Sequence, residues 1–152
     1  MLVVVCAIGA ACSGPFGPIP GGRLEGFPAP VPSSWDFTSE IETVALETLP
    51  ADPHSVNVWC LGIGDRLYIP SSMVLGPTDP SERRWVQNVR LDPDVRVRIA
   101  GQIYELRAER VSDPEELVRV RAKLLEKYEM EPTRDGRDQT GWIFRFAARP
   151  DR

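Results

Sequence analysis

A chain of 152 residues with a net charge of −4 is long enough for one domain around a single core. Acids and bases alternate along it, without the basic face that a nucleic-acid-binding protein needs, which argues against that class. Pro is abundant, at 15, and with Gly it crowds residues 14–32, so composition predicts a tether ahead of a folded domain.

Residues 2–11 form an uncharged apolar run, too short to cross a bilayer of about 30 Å as a helix. The run ends in Gly9-Ala10-Ala11-Cys12-Ser13, which resembles the lipobox of a bacterial lipoprotein signal. That resemblance implies acylation of Cys12, a membrane anchor and a place in the cell envelope. The other reading of Leu2-Val3-Val4-Val5-Cys6 is a buried first strand in a cytoplasmic protein. These observations divide the chain into a signal (1–12), a tether (13–34) and a domain (35–150). Cys60 has neither a disulfide partner nor metal-ligand spacing, and reads as a small buried hydrophobe.

The domain opens at Trp35. Residues 40–48 have strand composition, and Pro50 and Pro53 bracket a loop that carries His54, the single histidine. Residues 55–63 read as a strand with Val56, Val58 and Cys60 on one face and Trp59 and Leu61 on the other, which predicts a central strand packed on two sides. Gly64-Asp65-Arg66 turns the chain into a short strand over 67–70. Asp79-Pro80 is a helix start, and the helix is expected to carry Trp85 and to run to Arg90 before Asp92-Pro93 stops it. Val95, Val97 and Ile99 alternate with Arg96 and Arg98, a half-buried strand that turns at Gly101 into a partner strand through Tyr104, Leu106 and Ala108. Asp113-Pro114 begins a second helix, whose stripe is Leu117, Val120, Leu124 and Tyr128, widened by Val118 and Leu125. Trp142, Phe144 and Phe146 alternate in a closing strand.

The expected fold is α+β: a barrel of about six strands with two flanking helices. Its order, with Trp85-x-x-Asn88, Asp92-Pro93-x-Val95 and Gly101-x-x-Tyr104, resembles the split β-barrel family that binds FMN or the deazaflavin coenzyme F420. That family includes pyridoxamine-phosphate-oxidase-like proteins and deazaflavin-dependent nitroreductases. The resemblance implies a homodimer and a cofactor phosphate held by Ser71 and Ser72, after the third strand, and by Arg83 and Arg84. It further implies Trp85 beside the cofactor rings and Asn88 fixing the adjacent loop. The Lys common in the nitroreductase branch is missing from residues 70–77.

Each of these residues has a second reading. The serines also suit a turn, the arginines a solvated helix face, Trp85 a barrel plug and Asn88 a helix cap. His54 suits general acid/base chemistry, axial haem ligation or an ordinary loop. No Gly-rich phosphate loop, paired Cys ligands or nucleophile elbow is present. Two functions follow. One is a flavin- or F420-dependent reductase of quinone or nitro compounds. The other is a non-catalytic, membrane-tethered lipoprotein that binds a ligand or partner through its barrel, with no cofactor. A haem-binding barrel is third.

Overall fold

The computed structural model describes residues 14–72, 76–131 and 140–150. The expected signal, with Cys12, lies outside them. The strands are β1 (Phe27–Pro28), β2 (Thr43–Thr48), β3 (His54–Trp59), β4 (Leu61–Ile63), β5 (Arg66–Pro70), β6 (Asp94–Ile99), β7 (Gln102–Arg110) and β8 (Ile143–Ala148). The helices are α1 (Arg84–Leu91) and α2 (Pro114–Lys127). No helix among the described residues is long and apolar enough to cross a membrane.

The strands follow the order β3-β2-β6-β7-β8-β5-β4, all antiparallel, with β1 added in parallel to β7. The two ends of this path, β3 and β4, are consecutive in the chain and separated only by Cys60. The sheet therefore curls back on itself: one bent stretch pairs with β2 on one side and, past Cys60, with β5 on the other. This is the split barrel, in α+β form with two helices.

The strand expected over 55–63 is thus two strands, because the chain changes partners at Cys60. It is also not the strand packed on both sides, since Asn57 is exposed. That strand is β2. Val44 and Leu46 enter the barrel core with Trp35, Val97, Leu106 and Phe146. Ala45 packs outward on Leu24 and Ile103. The strand expected from residue 40 starts at Thr43, because Asp36–Glu40 form a 3-10 turn. That turn docks on the β4–β5 hairpin: Trp35 N donates to Gly64 O at 2.7 Å and Gly64 N donates to Asp36 Oδ1 at 2.9 Å. A Cβ on Gly62 would overlap the Trp35 carbonyl, so only glycine permits this approach.

The helix expected to begin at Asp79 is also in two pieces. Asp79 caps a 3-10 turn over Pro80–Glu82 by accepting from Ser81 N at 2.8 Å. Arg83 is then extended (φ −68°, ψ 127°) and α1 begins after it. Helix α2 starts as read, with Asp113 accepting from Glu116 N at 2.8 Å. Val120 and Leu124 pack on Leu61, Tyr68 and Ile143, the outer face of β4, β5 and β8. Val118 does not join that stripe and is exposed. Glu116 is buried instead, accepting from Tyr68 Oη at 2.6 Å and Arg145 Nη1 at 3.0 Å. Burial raises its pKa, but the Tyr68 hydrogen bond and the charges of Arg145 and Arg66 outweigh that and hold it below the usual value. At the other end of α2, the Lys127 ammonium donates to the carbonyls of Thr38 (2.9 Å), Ile41 (2.7 Å) and Cys60 (2.6 Å). The helix is pinned at the point where the chain switches strands.

Residues 14–34, read from composition as a tether, make defined contacts. Leu24 is buried, its N–H donates to Glu47 Oε2 at 2.6 Å, and Gly21 exchanges two backbone hydrogen bonds of 2.8 Å with Ser55.

Candidate functional site

A cleft of about 370 Å³ opens between β3, the end of β5 and the residues just before α1. Ser71, Ser72, Arg83 and Trp85 all line it. Four residues proposed from sequence are therefore brought together. The local reason is the break at position 83. An extended residue between the 3-10 turn and α1 leaves the helix surface, so Arg83 turns into the cleft. Its neighbour Arg84 starts the helix and stays in solvent.

Each lining residue has a structural tie as well. Ser71 is 1% exposed; its N–H donates to Trp142 O and its Oγ accepts from Trp142 N, both at 2.7 Å. A hydroxyl that accepts in this way still has its own hydrogen to donate. Trp85 meets Phe144 edge to face at 5.1 Å and belongs to the barrel core, so it both plugs the barrel and walls the cleft. Burial pulls the Arg83 guanidinium below its ordinary value. Asn88 and Arg84 do not line the cleft. Asn88 is 5% exposed and donates from Nδ2 to Thr48 Oγ1 at 2.8 Å, holding α1 against β2.

His54 begins β3 outside the cleft, half-buried, with Nδ1 buried and lacking a hydrogen-bond partner among the described residues. Burial pushes its pKa down, and the Arg84 charge adds to this against a smaller opposing effect of Asp52. Among the described residues no cluster of His, Cys, Asp or Glu is arranged to hold a metal.

Sequence reasoning missed the opposite wall: Gly17, Pro18, Thr43, Asn57, Val58 and Trp59. One signal was present. Asn57 interrupts the apolar run Val56-Asn57-Val58, an odd choice for a strand buried on both faces. The finished cleft is apolar along Val58, Trp59, Pro70 and Trp85, with hydroxyls and one cation contributed by Ser71, Ser72 and Arg83. That donor set suits a planar ring system carrying a phosphate. A second cleft on β7 and β8 has its arginines paired, Arg145 with Glu109 in the cleft at 2.7 Å and Arg107 with Asp94 of β6 at 2.9 Å.

The fold recurs among solved structures. An F420-H2 dependent reductase is 17% identical, with a TM-score of 0.54 over 70% of this chain and 94% of that one. A conserved hypothetical protein of Mycobacterium tuberculosis is 23% identical, with a TM-score of 0.53 over 76% and 78%. A pyridoxamine 5'-phosphate oxidase-like protein of Listeria innocua is 17% identical, with a TM-score of 0.52 over 71% and 84%. These show the split-barrel fold alone. A search of curated proteins finds no match. The family model of F420H(2)-dependent quinone reductases matches residues 51–139, which run from the loop before β3 to just short of β8 and include Ser71, Ser72, Arg83 and Trp85. With more than half of its length matched in this way, the chain belongs to the F420H(2)-dependent quinone reductase family.

Proposed function

We propose that this protein is a reductase that binds coenzyme F420 in the cleft beside Trp85 and reduces a quinone- or nitro-type acceptor. The observation that carries the reading is the meeting of Arg83, Ser71, Ser72 and Trp85 around one cleft inside the family-matched region. When bound, the reduced deazaflavin supplies the hydride, so the protein needs no acid/base cluster of its own. Its residues bind, orient and exclude water. Arg83 holds the phosphate by charge-assisted hydrogen bonds, which offset part of the cost of its own burial. Ser71 and Ser72 donate hydroxyl hydrogens to the same group. Val58, Trp59, Pro70 and Trp85 give the rings an apolar wall and keep water from the reacting face.

The test is titration of the full chain with F420, followed by its absorbance, and then turnover of the reduced cofactor with menadione. Arg83→Ala should weaken F420 by tenfold or more, since a hydrogen bond to a charged group contributes about 1.5–3 kcal/mol. Arg84→Ala should leave the affinity within about twofold, because an exposed arginine outside the cleft loses only a distant, screened charge. Absence of saturable binding by the folded wild type, or equal losses in both variants, would sink the assignment.

A further inference from the structure

The turn over residues 14–21 precedes the family-matched region, yet its tip lines the cleft. Phe16 and Ile19 exchange two backbone hydrogen bonds, at 3.0 and 2.9 Å, and leave Gly17-Pro18 at the tip. The base is pinned by the Gly21–Ser55 pair to the edge of β3 that does not face β2. Asn57 Nδ2 then donates to the Gly17 carbonyl at 3.1 Å, and Gly17, Pro18 and Asn57 together form one side of the cleft. The turn closes so tightly that a Cβ on Gly21 would overlap the Gly14 carbonyl carbon.

Tying the turn to the β3 edge requires only the Gly21–Ser55 pair. It does not require a tip that reaches across to the cleft. Nor does burial of the turn's own apolar residues hold it there: Phe16 is 83% exposed and Ile19 61%. A few hydrogen bonds therefore seat an otherwise water-facing turn where its proline bounds the site.

We propose that the turn is a specificity wall: the Gly17-Pro18 tip bounds the subsite for the flat, uncharged acceptor ring and sets how wide that ring can be. This rests on the reading of the cleft as the reductase site. In that reading Arg83 and the serines hold the cofactor while the Gly17-Pro18 tip bounds the acceptor, so changes at the tip act on acceptor binding.

Two variants separate the wall from the fold. Gly21→Ala displaces the turn from outside the cleft, and Pro18→Gly trims the tip while leaving the turn's backbone pairs in place. Binding of menadione and of the wider, equally uncharged 9,10-phenanthrenequinone is read by quenching of tryptophan fluorescence, with and without F420. Thermal melts confirm that each variant is folded. Both variants should lower the preference for menadione over the three-ring quinone by about fivefold, the scale expected for losing one face of a proline against a ring. F420 affinity should stay within about twofold of wild type. Unchanged preference in both variants, or wild-type protein that binds neither quinone, overturns the wall. A shifted preference in protein that does not bind F420 would uphold the wall and remove the cofactor reading instead.

Discussion

Arg83 and Arg84 are adjacent in the chain and part company in space, because one is extended and the other begins a helix. Arg83 enters the cleft, and Arg84 stays outside, close enough to His54 to disfavour its protonation. Burial and that charge together give His54 a pH effect that can be read. Burial first, and Arg84 second, hold the folded-state imidazole below its ordinary value of 6.5, with Asp52 opposing in part. The unfolded chain then takes up its proton before the folded one as pH falls. The stabilising effect is complete above about pH 6.5 and is lost as pH drops through the folded-state value. Thermal melts from pH 7.5 to 5 should show the midpoint falling, with a shallower fall in His54→Gln. Parallel slopes would show that His54 contributes nothing to the acid loss.

Among the elements, the β6–β7 hairpin carries a local conflict. Its two-residue turn is Ala100-Gly101, with Ile99 paired to Gln102, and both turn residues have positive φ, 49° and 79°. That is the type I′ pattern, which favours Asn-Gly because a Cβ at positive φ is costly for residues without a local side-chain bond. Ala100→Asn should therefore stabilise the protein by about 0.5–1 kcal/mol and raise the melting midpoint by roughly 2–4 °C. A lowered midpoint would mean that the turn is held by contacts other than its own backbone preference. The paired helix-start signals had different fates for a related reason. Asp113-Pro114 leads into a fourteen-residue helix whose Val120 and Leu124 are buried. Asp79-Pro80 caps only a three-residue 3-10 turn, and α1 starts afresh after Arg83. A cap specifies a start; the buried stripe that follows decides how far a helix runs.

Across the whole molecule, the N-terminal segment turns an apparently ordinary strand charge into a buried one. Glu47 faces outward from β2 and is fully buried, accepting from Arg96 Nη1 at 2.8 and 3.0 Å and from Leu24 N at 2.6 Å. Glu47 and Arg96 are direct cross-strand partners, and Arg23 Nη1 stands 3.9 Å from the same carboxylate. Removing one member of a buried pair strands the other, so Glu47→Ala should cost about 3–5 kcal/mol in urea unfolding. It should also release residues 14–34 to limited proteolysis, since Leu24 N loses its acceptor. A loss below 1 kcal/mol with an unchanged cleavage pattern would show that the segment is held without Glu47.

The sequence alone determined the local features: the period-two strands β6, β7 and β8, the capped amphipathic α2, and an order of elements whose Trp85-x-x-Asn88 and Gly101-x-x-Tyr104 signatures carry the split-barrel resemblance. These depend on alternation, caps and turns, which act over a few residues. Tertiary structure decided what depends on distant partners. It broke the strand at Cys60, buried Glu47, separated Arg83 from Arg84, and gave Asn88 to Thr48 instead of to the cleft. It also placed Gly17 and Pro18, read from composition as part of a tether, against Asn57 in the wall of the site. The physical reason is the same in each case: burial and a cleft wall are made by residues far apart in the chain, and no local pattern encodes which of them will meet.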